Sequence, residues 1–179
     1  MLSVFVALTS CNNSQNSGAK TSGALSSNVA EKVYVAPGEH DSHYAFISGG
    51  FSGNLTVYGL PSGRMFKEIP VFSQFATSGY GYSEETKPML NTSHGFIPWG
   101  DSHHPDISQT NGEIDGRFIF INENNTPRIA KIDLTTFETT EIIEVPNSAG
   151  NHSSSFVTEN TEYVVAGTRF SVPIPQRDM

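Results

Sequence analysis

Apolar residues fall in short runs along this chain, and clusters of Gly, Ser, Asn and Pro separate the runs. That pattern predicts many short strands joined by turns rather than helices. It also repeats. Sliding the sequence by 74 residues lays "YAFISGGFSGNLTVYGLPSGRMFKEIPV", from Tyr44, on "FIFINENNTPRIAKIDLTTFETTEIIEV", from Phe118, without a gap. Phe46 then matches Phe120, Ile47 matches Ile121, Leu55 matches Ile129, Tyr58 matches Ile132, Leu60 matches Leu134, Ile69 matches Ile143 and Val71 matches Val145. Positions repeat, not letters. Each unit predicts strand, polar turn, strand, turn, strand, as in a propeller blade. From Phe118 a further 45 residues reach Tyr163 in "YVVAG", the expected first strand of the next unit. That step is close to the roughly 40 to 45 residues of a four-stranded blade. The 74-residue step is therefore one blade plus an insertion at about residues 73 to 102, which holds "TSGYGYSEETKPML". The expectation is an all-β chain carrying about two to three blades of a β-propeller.

The N-terminus follows another pattern. "MLSVFVALTSC" is a short apolar run ending in Leu8-Thr9-Ser10-Cys11, and it resembles the lipobox of bacterial lipoproteins, in which the cysteine is lipidated. Residues 1–11 are accordingly expected to be an export signal, and the missing basic residues before the run point to a start upstream of Met1. Residues 12–32, rich in Ser, Asn and Gly, are too polar to bury and are expected to be a flexible tether, with folded structure from Val33 to Met179. No other segment approaches the roughly 18 apolar residues of a membrane span. The implied location is periplasmic, with the membrane reached only through a lipid on Cys11. Cys11 is the single cysteine, which excludes an internal disulfide framework or a multi-cysteine metal site within this chain. A formal net charge of -8, with no basic cluster, disfavours nucleic acid and anionic membrane surfaces as partners.

Candidate chemistry concentrates in "WGDSHHPDIS", residues 99 to 108. In a propeller the first strand of each blade lines the central channel, so a segment just before it lies at the channel mouth. His103 and His104 precede the strand expected at Phe118, and His152 precedes the equivalent strand at Tyr163. The three histidines thus come from corresponding places in successive units. Neighbours on a regular strand point to opposite faces, so His103 and His104 share a site only where the chain is irregular. Pro105, which cannot donate to a ladder, and Gly100 favour such irregularity. His40, His43 and His94 are expected in solvated or packing roles, and Asp115-Gly116 is expected as a turn before the strand.

Taken in order, "GDSHHPDIS", "GEIDGRFIFINENNTPRIAKIDL" and "VPNSAGNHSSSFVTENTEYV", with the earlier "AFISGGFSGNLTVYGLPSGRMFKEIPVF" and "SGYGYSEETK", resemble the N-terminal propeller of the nitrous-oxide reductase family, in its Sec-exported branch. The resemblance runs from about Val33 to the end. It implies a seven-bladed propeller holding a tetranuclear copper-sulfide centre on seven histidines, of which His103, His104 and His152 match the first three. It further implies a cupredoxin domain with a binuclear copper centre, calcium-binding residues, a cytochrome c or cupredoxin as electron donor, and a homodimer. None of those later elements falls within this sequence, so the chain is expected to be a fragment, inactive by itself. The implied reaction is nitrous oxide plus two electrons and two protons giving dinitrogen and water. Asp106 stands where relatives often carry another histidine. Asp101 is the candidate to accept the free ring N–H of a ligand histidine and fix its orientation. A turn-forming role for Asp101 after Gly100 is equally open. Two other functions also remain open: a non-catalytic propeller lipoprotein that binds a partner, and a mononuclear zinc hydrolase using the three histidines, although no general base is evident for it.

Overall fold

The computed structural model of the chain describes residues 28–153 and 155–169; Cys11, the segment 1–11 and most of the expected tether lie outside the described residues. The chain divides into two units, the first ending at Lys32 and the second beginning at Val33. Within the first, the last residues of the expected tether form one helical turn, α1 (Val29–Lys32), with Lys32 N–H donating to Asn28 O at 3.2 Å. Among the described residues no helix is long and apolar enough to cross a membrane.

The second unit is built on antiparallel strands. β1 (His43–Ser48), β2 (Asn54–Leu60) and β3 (Met65–Pro70) form one meander. The insertion follows, with a 3-10 turn at Lys87–Leu90 and the small hairpin of β4 (Asn91–Thr92) and β5 (Gly95–Phe96). A four-stranded meander comes next: β6 (Ser102–Thr110), β7 (Glu113–Glu123), β8 (Arg128–Asp133) and β9 (Glu138–Glu144). Last, β10 (Phe156–Val157) pairs with β11 (Val164–Val165). The all-β expectation is met.

The repeat persists down to register. Phe46 pairs with Val57 as Phe120 pairs with Lys131, and Leu55 pairs with Ile69 as Ile129 pairs with Ile143. Both sheets even slip at the same place, between Val57 and Tyr58 in the first and between Lys131 and Ile132 in the second. Burial breaks the equivalence. The first sheet buries Leu55, Val57 and Ile69, whereas the second meets it with Ile119, Ile121, Ala130 and Ile132. Those four correspond in the repeat to Ala45, Ile47, Thr56 and Tyr58, on the opposite face. Thus Ile121 is 0% exposed while its counterpart Ile47 is 52% exposed. The front of one meander lies on the back of the next, which is how blades stack in a propeller. It is also why both faces of the repeat carry apolar residues.

Two expectations are corrected. The repeat, aligned on β1 and β7, anticipates no strand before β7, yet β6 is there, so the histidine pair lies in a strand rather than in a connecting segment. The β6–β7 hairpin turns at Asn111 and Gly112, with φ of 54° and 78°, the paired positive values a two-residue I′ turn demands. Asp115-Gly116 sits inside β7 instead, at a break in register. There the Asp115 carboxylate accepts from Ser108 Oγ at 2.5 Å and Thr110 Oγ1 at 2.7 Å, and binds Arg117, so it ties the hairpin together.

The insertion is fastened to the sheets. Tyr80 Oη donates to Val71 O at 2.7 Å, Leu90 is fully buried, and Ser93 donates through N and Oγ to Glu144 at the end of β9. It delivers the chain to Gly100, where an added Cβ would lie 2.4 Å from Phe72 Cβ and 2.7 Å from Glu123 Oε1. Close approach is what this glycine supplies.

Candidate metal centre

β6 carries its histidines through an irregularity. His103 pairs with Asn122 and Asp106 with Phe120, so β6 has one residue more than β7 between those pairs. The extra residue bends the strand and re-aims its side chains. His104 adopts φ 48°, a left-handed conformation that non-glycine residues seldom take and that clusters at functional sites. Pro105, inside the same break, has no N–H to leave unpaired. The result is that sequence neighbours, which a regular strand would send to opposite faces, share one side.

The third histidine arrives from the segment after β9. Gly150, at φ 77°, passes so close to Asn124 O that a Cβ would lie 2.3 Å from it. Asn151 N–H then donates to Glu123 O at 2.9 Å. Asn122 Nδ2 donates to Ser153 O at 3.1 Å. His152 is set between those two bonds. Its ring centroid lies 4.3 Å from that of His103 and 5.1 Å from that of His104, and the His103 and His104 centroids are 5.6 Å apart.

One nitrogen from each of the three rings lies within 4.8 Å of the others. Two nitrogens bound to one ion at about 2.1 Å stand at most about 4.2 Å apart, so small ring rotations bring the set onto one ion, and adjacent ions also suit the spread. His103 and His152 are half-buried and His104 is exposed. Burial and the charges of His103, Arg169 and His104 push the His152 imidazolium below the ordinary histidine range, favouring the neutral ring that metals require.

Asp101 stands behind the cluster. Its side chain is 2% exposed, and Oδ1 approaches His103 Nε2 at 2.7 Å. Apart from that approach, Oδ1 has no hydrogen-bond partner, while Oδ2 accepts from Asn124 Nδ2 at 3.1 Å. His103 thus turns Nε2 to Asp101. Asp106 is occupied otherwise, accepting from Val157 N at 2.9 Å and Ile107 N at 3.0 Å. His40, His43 and His94 are exposed and outside the cluster.

Sequence reasoning passed over the groups that hold the cluster up. Asn122, Glu123 and Arg128 are each at most 1% exposed, and Asn151 is 1% exposed. A weak signal for two of them existed: Asn122 and Glu123 interrupt the alternation of β7 with consecutive polar residues, where the matching strand β1 ends at Ser48 and is followed by Gly49.

No family model matches the chain. Among curated proteins it is similar to the nitrous-oxide reductase of Stutzerimonas stutzeri, 38% identical over 146 residues, covering 81% of this chain and 23% of that protein. It is likewise 38% identical over 153 residues to the nitrous-oxide reductase of Pseudomonas fluorescens, covering 85% of this chain and 24% of that protein. Against the nitrous-oxide reductase of Cupriavidus necator it is 34% identical over 171 residues, covering 88% and 27% respectively. The chain thus spans about a quarter of the length of the relatives it matches. By sequence, more than four-fifths of this chain is related to a segment of nitrous-oxide reductase.

Proposed function

We propose that the chain contributes His103, His104 and His152 to a copper centre that reduces nitrous oxide to dinitrogen and water. The observation that carries this reading is convergence: nitrogens of two histidines on β6 and of one 48 residues later lie within 4.8 Å of one another, beside a buried carboxylate. The donor set fits the metal, since neutral imidazole suits copper. Bound there, copper would supply electrons to a ligand too inert for one-electron reduction at a single ion. Asp101 would hold the His103 ring in one tautomer and orientation by accepting its Nε2–H. The depressed basicity of His152 would keep its ring neutral and ready to ligate near neutral pH.

In its finer form the reading makes the centre the tetranuclear copper-sulfide cluster, with four further histidines from outside the residues described. Electrons would come from a cytochrome c or a cupredoxin, the full protein would be a homodimer, and the site of action would be the periplasm, with Cys11 as a lipid anchor. The direct test is copper content and methyl-viologen-driven consumption of nitrous oxide by the whole protein and its His152→Ala variant. Loss of both in the variant is expected. Full copper loading with unimpaired turnover would overturn the assignment.

A further inference from the structure

The end of β7 touches both halves of the histidine cluster. On one edge Asn122 is the register partner of His103. Beyond the strand's end its Nδ2 donates to Ser153 O at 3.1 Å, and the next residue, Glu123, accepts Asn151 N–H at 2.9 Å. The two residues flanking His152 are therefore held by two consecutive residues of the strand that carries His103's partner. Two more bonds tie the same segments farther on: Ser155 Oγ donates to His104 O at 3.3 Å and Val157 N to the Asp106 carboxylate at 2.9 Å. Of these contacts only that of Asn122 uses a fully buried side chain next to His152. Its side-chain oxygen, moreover, has no partner among the described residues. A buried amide that leaves its acceptor unsatisfied gives up stability. It makes sense at this position only if its donor does something an apolar residue cannot.

We infer that Asn122 is a positioning residue for the metal centre, whose amide N–H fixes the backbone at Ser153 and so the place of His152 relative to His103. This rests on the reading of His103, His104 and His152 as metal ligands. The physical reason is that His152 lies in a segment without regular strand structure, between Gly150 and β10, so few bonds define its position. Holding a ligand where the metal needs it removes the entropy cost of ordering it at binding.

Asn122→Leu keeps the number of side-chain heavy atoms, removes the donor together with the unsatisfied acceptor, and frees only the carbonyl of exposed Ser153 to find water. In the whole protein we would measure two things: binding of Co(II) alone, followed by its visible absorption, and the hydrogen exchange of the Asn151 amide without metal. Tyr80→Phe, which removes a buried hydroxyl bond on the insertion, serves as a variant of comparable stability cost outside the bonds that hold His103 and His152. Asn122→Leu should weaken Co(II) binding by about ten- to a hundred-fold and change the cobalt band, as loss of an outer support does. It should also speed exchange at Asn151 by about tenfold or more. Tyr80→Phe should change neither. Unaltered exchange in Asn122→Leu would overturn the positioning role whatever the metal does. Faster exchange with unaltered Co(II) affinity, or equal weakening in Tyr80→Phe, would overturn its bearing on the metal. Co(II) binding indifferent to His152→Ala would instead overturn the ligand reading, while the exchange measurement still decides whether Asn122 holds the segment.

Discussion

Replacing Glu123 by alanine removes the buried carboxylate that binds the Arg128 guanidinium. Arg128 is 1% exposed and Glu123 0%, and Nε meets Oε2 at 2.5 Å. The guanidinium otherwise has a 3.4 Å bond to Trp99 O and the face of Phe72, with its carbon 5.2 Å from the ring centroid. Among the described residues Arg128 Nη1 and Glu123 Oε1 have no hydrogen-bond partner, so the pair is incompletely satisfied. The pair is therefore costly to break rather than a large net source of stability. Leaving one buried ion uncompensated costs about 3 to 5 kcal/mol, whereas exchanging both ions for apolar residues of similar volume is often neutral or stabilising. Glu123→Ala should accordingly lose about 3 to 5 kcal/mol. At roughly 2 to 4 °C per kcal/mol for a protein of this size, that is a fall in Tm of about 10 °C. Urea unfolding monitored by far-ultraviolet circular dichroism, run on Glu123→Ala, Arg128→Met and the double variant Glu123→Leu/Arg128→Met, measures the coupling. A cost below about 1 kcal/mol for Glu123→Ala, or a double variant as unstable as the sum of the singles, would refute the argument.

Gly100→Ala forces a Cβ against Phe72 and Glu123 and should cost about 1 to 3 kcal/mol or more, read as a lower urea midpoint at unchanged slope. Burial of Tyr80 raises the pKa of its phenol above the ordinary value near 10, so the folded protein keeps a proton that the unfolded chain releases. Its contribution is fully present below about pH 10 and falls by up to about 1.4 kcal/mol per pH unit above it; in Tyr80→Phe, already about 1 to 2 kcal/mol less stable, that alkaline slope should shrink. Cys11→Ser should release the protein from the membrane fraction of its host if a lipid on Cys11 is the anchor, and retention of the variant on membranes would count against it.

The sequence by itself determined the order of the three strands that the two meanders share. Apolar positions recurring 74 residues apart mark the same strand sequence in both units, and in the structure the register shift after Val57 recurs after Lys131. It also marked the three histidines, because their residue type and their place in the repeat are visible in one dimension. What it left undecided was which face of each sheet is buried. Both faces are apolar, and only the stacking of unlike faces covers Ile121 while leaving Ile47 exposed. The strand status of the histidine pair was hidden for a related reason: β6 has no counterpart in the first meander, and its pattern is broken by the extra residue and Pro105. The supports of the centre were hidden most completely. Asn122, Glu123 and Arg128 are polar residues that sequence places at the surface, and only tertiary packing, by supplying partners for part of their buried polar atoms, makes the interior open to them.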